Sequence, residues 1–183
     1  MILSDRDILD AINKGEIIID PFLKENLGPC SIDLTLSDEF LIFGGDNLID
    51  PKNLDSMQRN TKIVKTGNKP FIIRPKQFVL ASTRERIKIS TKYAATLEGR
   101  SSVARLGIVV HAAGLVNPGT GEVKPKPLIL EIFCQNTTPV MLYPGMRIVQ
   151  ILFHRLTSPS SISYDRREKS TFHLDNRWIK FRL

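Results

Sequence analysis

The sequence has 183 residues, 42% of them hydrophobic and 7% aromatic, and a formal net charge of +7. That balance suits one globular domain over residues 1–183 and excludes a fibrous or wholly disordered chain. Its apolar runs, such as Leu128–Leu130, Ile151–Phe153 and the longer Phe40–Phe43, fall far short of the roughly 18 residues of a membrane-spanning helix, so no membrane partner is expected.

Ser4 followed by Asp7 reads as a helix cap with an acidic third position, and Ile8, Leu9 and Ile12 share one face until Gly15 stops the pattern. One short N-terminal helix is therefore predicted. Charge in Met1–Asp7 stands where a signal peptide needs an apolar stretch, which makes the cytoplasm the expected compartment. Short β-branched or alternating segments follow: 16–19, 31–36, 39–43, 61–64, 71–73, 78–82, 86–89, 93–98, 108–110, 128–134, 140–142 and 147–153. Turn residues at close intervals between them predict an all-β barrel or jelly-roll and not βαβ units. Gly44–Asn68 and the turn-rich stretch from Asn117 to Pro127 read as long surface excursions. Cys30 and Cys134 form no C-x-x-C pair and read as reduced packing residues.

Seven basic and three acidic residues from Arg155 onward hold +4 of the +7 charge. Elsewhere the signs alternate, without the long basic run or interleaved aromatics of a nucleic-acid platform, so no nucleic-acid partner is expected. The densest chemical text is Glu98-Gly99-Arg100-Ser101-Ser102-Val103-Ala104-Arg105. Two guanidiniums beside two hydroxyls suit a phosphate, although a capped helix with solvated arginines would read the same way. Glu131 is a lone carboxylate in the apolar segment Leu128–Cys134, on the face shared with Ile129 and Phe133. Closed over by a pocket, it would hold its proton more tightly and serve as a proton shuttle; open to water, it is a solvated surface group. His111, His154 and His173 have no metal-ligand spacing, and the H-x-E and P-C-x-x-C pair of zinc nucleobase deaminases is missing.

Gly99–Gly107, then His111, Asn117-Pro118-Gly119 and Leu130-Glu131, resemble the core of the dCTP deaminases within the dCTP deaminase/dUTPase superfamily. Met1–Leu9, Gly28–Leu36, Tyr143–Gln150 and Tyr164–Lys169 extend the resemblance over nearly the whole chain. It implies a distorted, dUTPase-like jelly-roll barrel, a homotrimer with sites between subunits, and a C-terminal substrate-covering tail at about 157–183. The implied reaction is hydrolytic, zinc-free deamination of dCTP to dUTP and ammonia in pyrimidine deoxynucleotide metabolism, with Mg²⁺ carried by the triphosphate and dTTP as an inhibitor.

Carried over by position, Glu131 would move protons, Ser101 would hold the water or base edge, and Arg105 would orient Glu131. Arg100, Ser101 and Ser102 would bind phosphates, Gln150 would reach a phosphate oxygen, Tyr164 would cover the substrate, and His111 would stand beside the pocket. Gln150 is more typical of the dUTPase and bifunctional branches, which release diphosphate. Asn117 stands where the family usually has Asp and is a much poorer base, which argues against strong dUTPase activity. Thr120 replaces a bulkier residue, the loop to Glu131 with Lys124 and Lys126 is longer than the family pattern, and Thr171–Asp175 departs from the usual tail. Three readings follow: a dCTP deaminase, a bifunctional enzyme forming dUMP and diphosphate, and a non-catalytic nucleotide-binding regulator.

Overall fold

A computed structural model describes residues 1–45, 48–50, 52–111 and 113–168. Helix α1 spans Asp5–Asn13 with the expected capping box: the Asp7 N–H donates to Ser4 Oγ, and the Ser4 N–H donates to the Asp7 carboxylate, each at 3.3 Å. Gly15, at φ +68°, ends it, in a left-handed conformation that favours glycine.

The strands are β1 (Ile17–Asp20), β2 (Ile32–Phe43), β3 (Thr61–Lys65), β4 (Phe71–Ile73), β5 (Phe78–Thr83), β6 (Arg86–Ile89), β7 (Tyr93–Gly99), β8 (Ile108–His111), β9 (Leu115–Val116), β10 (Ile129–Cys134), β11 (Val140–Leu142) and β12 (Arg147–Arg155). The main sheet runs β8-β10-β5-β2-β12-β7-β9 with β3 added to β2, and β1–β6 and β11–β4 form two small sheets. This order cannot be flat. β8 and β9 stand six strand spacings apart, roughly 29 Å at 4.8 Å each. Yet only residues 112–114 join them, a span of about 14 Å at most. The sheet therefore curls back on itself as a distorted barrel.

Its interior is apolar: Leu34, Phe40, Ile73, Val79, Leu130, Ile132, Ile151 and Phe153 have no exposed surface. Inward and outward positions alternate on β10, where Leu130, Ile132 and Cys134 are buried while Ile129, Glu131 and Phe133 are half-buried, as the sequence pattern predicts.

Three expectations change. The segments 31–36 and 39–43 are one strand, because Ser37 and Asp38 are absorbed at a register shift between Leu36 and Phe40, where the Thr66 N–H donates to the Asp38 carbonyl at 2.9 Å. The N-terminal helix is accompanied by two further short ones. Within 44–68 lies α2 (Leu54–Arg59), whose cap Asn53 accepts the Asp55 and Ser56 N–H groups at 3.0 and 3.4 Å, and α3 is Ser101–Ala104. Both thiols are free, but only Cys134 packs in the core; Cys30 is exposed in the turn before β2. The tail beyond residue 168 lies outside the described residues, and among the described residues no helix is long and apolar enough to cross a membrane.

A buried acid pins the turn between β5 and β6 to β2. Glu85 is 2% exposed, and its two carboxylate oxygens accept the Thr35 N–H at 2.8 Å and the Thr35 hydroxyl at 2.6 Å. Thr35 pairs with Arg147 and stands two residues from Asp33, so this contact fixes the β2–β12 register. Glu85→Ala leaves a buried N–H and hydroxyl without their acceptor and is expected to cost roughly 2–3 kcal/mol in urea unfolding.

At the other end, Tyr93 donates to Glu16 at 2.8 Å, with Lys92 paired to the same carboxylate and the Arg155 guanidinium 5.6 Å from the ring centre. Hydrogen bonds from Lys92 and then Tyr93 hold Glu16 below the usual carboxylate range, while burial and the Glu16 contact push Tyr93 up to about 12. Because the folded state holds this phenolic proton more tightly than the unfolded chain, the Tyr93 contribution is full below pH 10 and is lost as the pH rises toward 12. Tyr93→Phe is expected to lower stability by about 1 kcal/mol at neutral pH and to remove that part of the alkaline slope, read by thermal melts from pH 8 to 11.

Candidate active site

The end of β7, helix α3, the start of β2 and the middle of β12 enclose a cleft of about 350 Å³. Arg100, Ser101, Ser102 and Gln150, all singled out by the sequence, line it together with Ser31, Asp33 and Arg147. Sheet register places them: Gln150 is opposite Asp33 on one side and Glu98 on the other, and Gly99 leads directly into Arg100 and α3. The Ser31 hydroxyl donates to Gln150 Oε1 at 3.2 Å, so the Nε2 protons are what this amide offers an anion.

Asp33 organises the arginines. Its Oδ1 accepts Arg100 Nε at 3.0 Å, its Oδ2 accepts Arg147 Nη1 at 3.3 Å, and Arg100 Nη1 donates to the Arg147 carbonyl at 3.1 Å. Each guanidinium is thus held by one edge, and a planar five-donor group so fixed presents its remaining donors in a set direction. Glu25 also lines the cleft, so its lining carries two arginines and two acidic residues. Neither Asp33 nor Arg147 stood out as a site residue in the sequence. The signal present was the polar Asp33 between buried Ile32 and Leu34, and only the register ties it to α3 and β12.

The other predicted residues are not walls of this cleft. Arg105 is exposed at the C-cap of α3, its N–H donating to the Ser101 carbonyl at 3.0 Å. Glu131 sits on β10 between His111 of β8 and Leu80 of β5, half-buried, with its Oε2 shut off from solvent. Only the backbone of His111 is described; its side chain lies outside the described residues. Asn117 and Tyr164 belong together through the adjoining backbone: the Tyr164 N–H donates to the Pro118 carbonyl at 2.8 Å, and the Thr120 N–H to the Asn117 carbonyl at 3.1 Å. Gly119, at φ +79°, makes this approach possible, since a Cβ there would lie 2.2 Å from Ser163 Cβ. Burial, and next the Asp165 charge, raise the Tyr164 phenol above its ordinary pKa.

Within one chain Glu131 is not a wall of the cleft, and two routes link them: through β8, whose His111 pairs with Glu131 and whose Ile108 follows α3 by four residues, and through β5 and β2. Gln150 pairs with Asp33, whereas Glu131 pairs with Leu80, which pairs with Leu41. From Asp33 to Leu41 is eight residues, roughly 26 Å of strand path. Chemically, the cleft presents directional donors suited to an anion, while β10 carries a carboxylate with one oxygen shielded from solvent.

Residues 2–156 match the family model described as dCTP deaminase-like. A relative from Dictyoglomus thermophilum, named dCTP deaminase, dUMP-forming, is 43% identical over 94% of this chain and 90% of its own. Another of that name, from Methanopyrus kandleri, is 42% identical over 96% and 92%. A relative from Thermomicrobium roseum named dCTP deaminase is 42% identical over 90% and 84%. The solved 2′-deoxycytidine 5′-triphosphate deaminase from Agrobacterium tumefaciens shares the fold, with a TM-score of 0.64 and 20% identity over 83% of this chain and 46% of that one. A family match over most of the chain, with relatives above 40% identity along nearly its full length, establishes that this chain belongs to the dCTP deaminase-like family.

Proposed function

We propose that this chain is a bifunctional dCTP deaminase that converts dCTP to dUMP, ammonia and diphosphate. The observation that carries this reading is the presence of Gln150 in one cleft with Arg100, Ser101 and Ser102. Relatives named dUMP-forming favour it over release of dUTP, which was the first expectation from the sequence.

Deamination needs water deprotonated, cytosine N3 protonated and the C4 amine protonated as it leaves. Glu131 carries out these transfers: it takes a proton from the attacking water and gives it to N3, then takes the remaining proton of the C4 hydroxyl and delivers it to the amine as the C4–N4 bond breaks and the C4 carbonyl forms. Ser101 holds the water or the base edge, Arg105 orients the Glu131 carboxylate, and His111 stands beside the base. Arg100, Ser101, Ser102 and Gln150 bind the phosphate oxygens, Tyr164 covers the nucleotide, and Mg²⁺ enters on the triphosphate. In the second half, water attacks the α-phosphorus and diphosphate leaves. Asn117 cannot accept a proton as an Asp would, which makes this half the slower one.

A homotrimer with sites between subunits, as the family resemblance implies, would combine the cradle of one chain with Glu131 of the next. Closed rings of identical heterologous contacts build such sites without exposing an unmatched surface.

With Mg²⁺ and dCTP, or Mg²⁺ and dUTP, chromatography is expected to show dUMP and diphosphate, and Asn117→Asp to raise the dUMP share. Accumulation of dUTP alone would restore the simple deaminase reading, and absence of product from both would point to a nucleotide-binding regulator. Glu131→Gln is expected to cut deamination by about 10²-fold or more while retaining dCTP binding. Mixed by co-refolding with Arg100→Ala, the two inactive variants should recover up to about a quarter of wild-type activity if each site draws Arg100 and Glu131 from different chains. No recovery would place both residues in one chain's site.

A further inference from the structure

The turn-rich loop from Asn117 to Pro127 is anchored on two sides. Toward β6, Lys126 and Ile87 exchange backbone hydrogen bonds at 2.8 and 3.2 Å, the Ile89 N–H donates to the Thr120 carbonyl at 2.9 Å, and Arg86 Nε donates to the Pro125 carbonyl at 3.0 Å. Toward the turn at 163–166, Lys126 Nζ pairs with Asp165 Oδ1 at 2.7 Å, and the Val123 N–H donates to Asp165 Oδ2 at 3.3 Å. The Asp165 side chain is 4% exposed, and Lys126 Nζ also lies 5.6 Å from the centre of the Tyr164 ring. One ammonium therefore meets both the acid and the ring of two consecutive residues.

We propose that Lys126 is a positioning residue: by pairing with Asp165 it locks the 163–166 turn to the loop and fixes where Tyr164 stands. The inference rests on the reading that Tyr164 covers the nucleotide. A lysine near a triphosphate site invites the opposite assignment, a direct phosphate ligand. Its charge, however, is matched by a buried carboxylate 2.7 Å away, so the pair adds little net field toward an anion. What it does add is geometry. A buried acid held by a backbone N–H at one oxygen and an ammonium at the other leaves the turn little freedom, and the neighbouring ring inherits that constraint. Lys126 itself is placed by strand-like pairing to β6, so the Tyr164 position is referred back to the barrel wall.

The test is a double-mutant cycle on dCTP turnover by the full chain with Lys126→Met and Tyr164→Ala. Lys126→Met is expected to raise KM about tenfold with kcat changed no more than about threefold, to be rescued by Lys126→Arg, and to add nothing further in the Tyr164→Ala background. Additive effects would overturn the proposal and make Lys126 a direct nucleotide contact. A second readout needs no activity: trypsin cleavage after Arg166 and Arg167 in the nucleotide-free protein should be several-fold faster in Lys126→Met than in wild type. Lys124 and Lys126 each precede proline and are not themselves cleaved. Equal cleavage rates would overturn the latch. Should the wild type fail to turn over dCTP, the proposed function falls while the cleavage comparison still judges the contact.

Discussion

Closure of the curled sheet is the constraint on which the remaining geometry depends. β8 and β9 occupy opposite ends of the strand order but are joined by three residues, so the barrel has to bring the ends of the sheet together. The same closure carries the chain from β7 through α3 to β8, and so sets Arg100, Ser101 and Ser102 at the rim where β2 and β12 pair. Register does the rest. Side chains alternate with a period of two, so a slip of one residue in β2 would bury Asp33 and turn Ile32 toward the cleft. Glu85, locked onto Thr35 two residues further along, opposes that slip with two hydrogen bonds in the core.

Charge in the cleft is balanced, although the chain as a whole is basic. Arg100, Arg147, Asp33 and Glu25 all line the cleft, while +4 of the net +7 lies from Arg155 onward. A formally neutral cradle gains little from long-range attraction, so an anion there would be held through donors of fixed direction: guanidinium edges, two hydroxyls and the Gln150 amide. Such a site selects for the shape of its anion. A nucleic-acid surface relies on summed positive charge, a different design. Asp33 is central to this balance, since it removes net charge from the site while fixing the orientation of both arginines.

Local signals in the sequence were read out well, and non-local ones were not. The Ser4–Asp7 cap, the stop at Gly15 and the alternation around Glu131 depend on neighbours within a few residues, and all three are present in the fold. Arg100, Ser101, Ser102 and Gln150 were legible through a resemblance spanning separate segments, and they meet in one cleft. The roles of Asp33 and Arg147 depend on which residues face each other across β2 and β12, which no local pattern states. For the same reason Ser37 and Asp38 looked like a turn: their polarity is that of a turn, but pairing with β3 and the Thr66 N–H satisfies the backbone inside a continuous strand.

The Asn117–Pro127 loop shows how a long surface excursion can be structural. Lengthening a surface loop costs little closure entropy, so insertions there are tolerated even when they do nothing. This loop is committed at both ends. Gly121, at φ +74°, lies so close to β6 that a Cβ would come within 2.1 Å of the Ile87 carbonyl oxygen, and Gly119 is equally crowded by Ser163. Two glycines with left-handed backbone, each pressed against a different partner, let the loop bridge the β1–β6 sheet and the 163–166 turn. A loop of idle length would need neither approach. The segment following β12 is therefore tied to the barrel before the chain leaves the described residues, and the position of Tyr164 is set by packing against β6 through the loop and not by the tail alone.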